Sequence, residues 1–130
     1  MTQKQSLSRN KILRGYQAFS RVLGKGRSIA GGPVRLYYLL GPADRPSFHI
    51  GVAVARSIRG SVRRNRFRRL LRESFRVNQE IVARALEARA RHVEMVILFS
   101  GPGLQQGRPL KRQDIDKYLA PLLEILVRKL

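Results

Sequence analysis

The stretch Arg63-Arg64-Asn65-Arg66-Phe67-Arg68-Arg69-Leu70-Leu71-Arg72 concentrates most of the binding chemistry in this chain. Read at helical spacing, Phe67, Leu70, Leu71 and Phe75 gather on one side. Asn65, Arg69, Arg72 and Arg76 gather opposite them, with Arg66 and Arg68 on the flanks. The apolar side can bury against a sheet while the other offers guanidinium groups to an anion. Arginine suits phosphate because its planar fork donates two parallel hydrogen bonds. A solvated helix surface mixes signs to gain pairs at i,i+4, yet here only Glu73 interrupts the basic series. Arg56 and Arg59 extend that series upstream.

Hydrolytic machinery is missing by comparison. His49 and His92 stand far apart in sequence, and no acidic constellation accompanies either, so both are expected to be structural or surface residues. Acidic residues are too scattered for a carboxylate metal cluster. No catalytic residue and no protein metal site are expected. The absence of cysteine excludes disulfides and thiolate metal sites and is compatible with a reducing cytoplasm.

Composition points the same way. The chain has 130 residues, enough for one domain with a real core, and 43% of them are hydrophobic. Its net charge is +19, from 27 Lys plus Arg against 8 Asp plus Glu. Such a balance suits a polyanion, nucleic acid before an anionic membrane. No run approaches the length of a membrane span, and no apolar segment of a secretory signal follows the basic N-terminus.

The elements that must position these residues can be traced in order. Residues 1–11 are polar and basic and read as a flexible arm. Ile12, Tyr16, Phe19, Val22 and Leu23 recur at helical spacing, and Gly24 and Gly26 end that element. Val34 to Leu40 reads as a strand with Leu36 and Tyr38 on one face and Arg35, Tyr37 and Leu39 on the other. His49 to Val54 is a second strand, and Gly51 and Ala53 thin one face so that something bulky can approach. Helix follows through about Arg76, breaks near Asn78 and resumes over residues 80–91. Val93 to Phe99 is a strand, 104–110 a loop, and Asp114 to Leu130 a final helix interrupted by Pro121. Ser28-Ile29-Ala30 is short enough to hide one more strand. The order predicts a small α/β (α+β) two-layer sandwich over residues 1–130, with a sheet covered on at least one face.

Arg64-Asn65-Arg66, followed by Phe67, Arg68, Arg69, Leu70, Arg72, Glu73 and Phe75, resembles the signature of the bacterial ribonuclease P protein family. Upstream, His49-Ile50-Gly51-Val52-Ala53-Val54 resembles that family's glycine-containing central strand. Phe19, Val22, Gly26 and the Val34-to-Leu40 strand sit at its spacings. The likeness runs over roughly residues 9 to 100. It implies a ribonuclease P protein-like fold, akin to the second domain of a ribosomal protein, with a small, mixed, mostly antiparallel four-stranded sheet, three main helices and a left-handed βαβ crossover in place of the usual right-handed one.

The resemblance also implies a protein that assists RNA-catalysed removal of the 5′ leader from precursor tRNA. Its partners would be the catalytic RNA and the single-stranded leader, with no membrane, and the protein alone would be monomeric and cytoplasmic. The RNA subunit would chiefly hold the Mg2+ that serves hydrolysis. Arg56, Arg59, Arg63, Arg64, Asn65, Arg66, Arg68, Arg69 and Arg72 would face the RNA, and Phe19 and Tyr37 the leader. Leu23 stands where the family commonly has an aromatic, and Ser57 where it often has a second basic residue. Single residues keep alternatives: Phe19 suits either core or cleft, and Asn65 suits a helix cap or the RNA side. The rival reading is a ribosomal or other structured-RNA-binding protein without a catalytic partner.

Overall fold

The computed structural model describes residues 7, 11–42, 46–89, 91–101 and 110–130. Most of the expected 1–11 arm and of the 104–110 loop therefore lies outside the described residues. Eight elements follow one another: α1 (Tyr16–Lys25), β1 (Arg27–Gly31), β2 (Val34–Pro42), β3 (Ser47–Val54), α2 (Ser61–Asn78), α3 (Glu80–Glu87), β4 (Arg91–Phe99) and α4 (Arg112–Arg128). The sheet order is β1-β2-β4-β3. β1 pairs antiparallel with β2 and β2 with β4, whereas β3 lies parallel to β4. The sheet is mixed and mostly antiparallel, as expected. The ambiguous Ser28-Ile29-Ala30 segment lies within β1.

Alternation along each strand sorts the sheet into two faces. Leu36, Tyr38, Ile50, Val52, Met95, Ile97 and Phe99 point to one side and are buried beneath α2, α3 and α4. Helix α4 contributes Ile115, Leu119, Leu122, Leu123 and Leu126 to that core. Pro121 is accommodated inside α4, which continues to Arg128. Helix α1 packs on the opposite face in a smaller cluster with Leu13, Val22 and Val96, joined by partly buried Phe19, Tyr37, Leu39 and Ala53.

The first helix begins later than its apolar spacing suggests. Ile12 bridges Ile50 in parallel fashion, and the Leu13 amide donates to the Ile50 carbonyl at 2.8 Å. β3 ends the sheet, so its outer edge offers unpaired backbone groups that this short extended segment meets. Gly15, at φ 89°, then turns the chain into α1. The break between the two middle helices falls at Gln79, next to the expected Asn78. The described residues thus hold four helices, with the expected break and resumption separating α2 from the shorter α3. A polar knot fastens α2 to α4: buried Ser74 donates to Asp116, and Asn78 Nδ2 donates to Asp116 Oδ1 at 3.3 Å.

Gly26 is needed for close approach. A Cβ there would overlap the carbonyl oxygens of Val22 and Tyr38, whereas Gly24 two residues earlier faces open space. Gly26→Ala is expected to lower stability by about 1–3 kcal/mol. Gly24→Ala, inside α1, is expected to raise it by about 1 kcal/mol, because alanine favours helix over glycine. Urea denaturation of the two variants checks the opposite signs.

Candidate nucleic-acid interface

Helix α2 is held by its apolar stripe. Phe67, Leu71 and Phe75 are buried, with Phe67 stacked obliquely on Phe99 and Phe75 edge-on to Phe48. This anchoring fixes the rotation of the helix and turns Arg63, Asn65, Arg69 and Arg72 outward, all exposed. Arg56 and Arg59, in the connection before α2, are exposed as well. Among the described residues, no carboxylate pairs with Arg56, Arg59, Arg69 or Arg72. Such an array of unpartnered guanidinium groups matches the geometry of phosphate binding.

Three residues of the arginine signature are placed differently from their neighbours. Arg64 turns inward. Its guanidinium donates to the carbonyls of Val54 at 2.9 Å, Ala55 at 2.8 Å and Ile58 at 3.0 Å. It thereby ties the end of β3 and the following turn to the first turn of α2. Arg66, half-buried, donates to the Leu110 carbonyl at 2.6 Å and so links α2 to the segment before α4. Arg68 is held by Asn65, whose Oδ1 accepts from it at 2.8 Å. Asn65 does not cap the helix: the N-cap is Gly60, at φ 95°, and Asn65 lies one turn inside. The outward face is therefore Arg56, Arg59, Arg63, Asn65, Arg69 and Arg72, while Arg64 spends its donors within the fold.

A second surface lies on the α1 side of the sheet. The Phe19 ring rests directly on Gly51, so closely that a Cβ on that glycine would overlap it. The thin strand face expected at Gly51 is thus occupied by Phe19, which is half-buried in the smaller cluster. Tyr37 points to the same face, half-exposed, opposite Val96 on β4. In the next row Arg35 and Leu98 face each other across β2 and β4, and Leu98 faces Ala53 across β4 and β3. Arg35 reaches Ser28 Oγ at 3.2 Å. Tyr37, Arg35, Leu98 and Ala53 form a shallow floor with an aromatic hydroxyl and a cation at one side. Arg35 belongs to this floor by strand alternation alone and was not singled out from sequence. Leu23, on α1, is exposed and adds no ring to the surface.

The same face carries groups that sequence spacing did not connect. Arg21 on α1 binds Glu94 on β4 through both carboxylate oxygens, the shortest contact being 2.6 Å. Glu94's hydrogen bonds and charge raise the Arg21 pKa above its ordinary value. His49 and His92, expected to be isolated, meet at 3.3 Å beside Glu94. Burial, followed by the neighbouring His49, lowers the His92 pKa, which favours the neutral ring.

Among the described residues, this His-His-Glu group is the one cluster able to hold a metal ion. Its two imidazoles do not suit Mg2+, which prefers an all-oxygen octahedral set.

Arg64→Ala is expected to cost about 1.5–3 kcal/mol by leaving three carbonyls without their charged donor. Arg69→Ala is expected to leave stability within about 0.5 kcal/mol of the parent. Thermal melts of the two variants distinguish the inward from the outward arginine.

Residues 7–122 match the family model described as Ribonuclease P. The ribonuclease P protein component of Pelotomaculum thermopropionicum is 42% identical over 69 residues, which cover 53% of this chain and 60% of that protein. The corresponding component of Acidothermus cellulolyticus is 38% identical over 85 residues, covering 60% of this chain and 71% of the relative. The RNase P protein from Thermotoga maritima superimposes with a TM-score of 0.69 at 18% identity, covering 88% of this chain and 96% of that one. That last likeness concerns the fold.

Proposed function

The chain belongs to the ribonuclease P protein family, and we propose that it assists RNA-catalysed removal of the 5′ leader from precursor tRNA in the cytoplasm. The carrying observation is the outward array of Arg56, Arg59, Arg63, Arg69 and Arg72 on and before a helix locked to the sheet by Phe67, Leu71 and Phe75. Those cations neutralise phosphates where helices of the catalytic RNA crowd together. They replace part of the counter-ion charge that a folded RNA otherwise draws from magnesium. Asn65 and Arg68, hydrogen-bonded to each other, lie on this helix as a paired polar contact. Arg64 and Arg66 serve the surface indirectly by fixing the ends of the segments around α2.

The leader lies on the floor between α1 and the sheet. Tyr37 offers a ring face and a hydroxyl to an unpaired nucleotide, and Arg35 offers charge to its phosphate. Phe19 supports this floor from over Gly51 and presents the part of its ring that packing leaves exposed. Contacts of this kind tolerate many leader sequences, because every base has a face to stack.

The protein supplies no acid, base or nucleophile to the cleavage. The Mg2+ belongs chiefly to the RNA, in keeping with the poor fit of the His-His-Glu cluster to that ion. The products are a mature tRNA with a 5′ phosphate and a leader with a 3′ hydroxyl.

Reconstitution with the organism's own ribonuclease P RNA tests the reading. At limiting magnesium the protein is expected to raise the rate of correct 5′-end formation and to show no cleavage alone. Site-specific cleavage by RNA-free protein would reject the division of labour. Replacing Arg63, Arg69 and Arg72 together with alanine should weaken RNA binding and flatten its salt dependence, since fewer phosphate contacts release fewer counterions. An unchanged slope in a folded variant would remove this face as the main phosphate platform.

Tyr37→Ala is expected to weaken precursor tRNA binding by about 1–3 kcal/mol and to spare mature tRNA. Holoenzyme titrations with both tRNAs check this selectivity. Equal losses for the two substrates would place Tyr37 outside leader recognition.

A further inference from the structure

The fold brings the chain's only two histidines together, although 43 residues separate them. His49 on β3 stands in register with Glu94 on β4, and Ser47 stands in register with His92. Alternation sends all four side chains to the α1 side of the sheet. His49 Nδ1 and His92 Nε2 approach to 3.3 Å, and the ligand atoms of His49, His92 and Glu94 all lie within 4.8 Å of one another.

We propose that His49, His92 and Glu94 form a binding site for one divalent transition-metal ion, with Zn2+ as the fitting case. Two nitrogens each about 2.0–2.1 Å from a tetrahedral ion stand roughly 3.3–3.4 Å apart, which is the separation of these two rings. Imidazole and carboxylate ligands suit zinc and its neighbours and do not select magnesium.

The surroundings already orient the ligands. The Ser47 hydroxyl lies 2.6 Å from His92 Nδ1, so it can accept that proton and leave the Nε2 lone pair facing His49. Arg21 holds the Glu94 carboxylate from the α1 side. A carboxylate has about four acceptor positions, so the hydrogen bonds from Arg21 leave one for a metal. All three ligands are half-buried. His49 and Glu94 border an open cleft of about 590 Å³, lined also by Ile12, Leu13, Arg14 and Ala18, where a water can complete the fourth position. An ion here would join β3 to β4 directly and α1 to both through Arg21. Its role is to stabilise the α1 side of the sheet, separately from the arginine face of α2.

Titration calorimetry of the untagged full chain with zinc chloride tests the site. One ion per chain is expected to bind, with no displacement by excess magnesium. His49→Ala and His92→Ala should each weaken binding at least tenfold, and Glu94→Gln should weaken it by a smaller factor. Zinc should raise the melting temperature of the parent and leave that of the histidine variants unchanged. If an alanine variant fails to fold by circular dichroism, His49→Gln and His92→Gln supply the same comparison with a polar group retained. Absence of saturable zinc binding to the parent would overturn the proposal. So would undiminished affinity in folded variants lacking either histidine.

Discussion

The parallel pairing of β3 with β4 is the constraint on which the rest of the molecule depends. Adjacent parallel strands cannot be joined by a tight turn, so the chain must cross over the sheet between them. It does so through α2 and α3, which bury Phe67, Leu71, Phe75, Val82 and Leu86 against the sheet on the way. Burial of this stripe fixes the roll of α2, and the roll decides which arginines reach solvent. The same pairing sets His49 beside Glu94 and Ser47 beside His92 on the other face. One backbone register thus organises both the basic surface and the polar cluster on the far side.

The arginine face carries a cost that the fold absorbs in particular places. Like charges on neighbouring turns repel, and few acidic residues are present to offset them. Arg64 escapes the crowding by donating to three carbonyls at the end of β3 and in the turn that follows. Those carbonyls belong to the connection that launches α2, so a charge that would add repulsion outside becomes a clasp inside. Arg66 makes a similar connection to Leu110. The signature is therefore divided between residues that build the platform and residues that present it. Anion binding relieves the repulsion that remains.

On the opposite face, the missing side chain of Gly51 lets α1 settle. Phe19 fills that space, and its ring closes one end of the floor formed by Tyr37, Arg35, Leu98 and Ala53. Arg21 and Glu94 hold the same helix to β4 at a neighbouring row of the sheet. Helix α1 is small and mostly exposed, with Val22 its one fully buried side chain. Its position therefore rests on buried Val22, the Phe19 ring, one ion pair and the close approach at Gly26.

The sequence by itself determined the two-faced basic helix, the three longer strands and the final helix, because each carries its own hydrophobic period. It also showed the resemblance carried by Arg64-Asn65-Arg66 and the central strand, and with it the family. The division of labour among the arginines was not legible: Arg64 and Arg69 are the same residue type on the same helix. Only the end of β3 folding back against α2 separates the clasp from the exposed cation. Ile12 kept a helical spacing yet pairs with β3, because an open sheet edge competes for a backbone that local pattern alone would wind. His49 and His92 looked isolated for a similar reason. Contact between them requires parallel register across two strands and a crossover between, and no local pattern encodes that register. Periodicity reports which face of its own element a residue occupies, whereas tertiary packing decides what stands opposite that face.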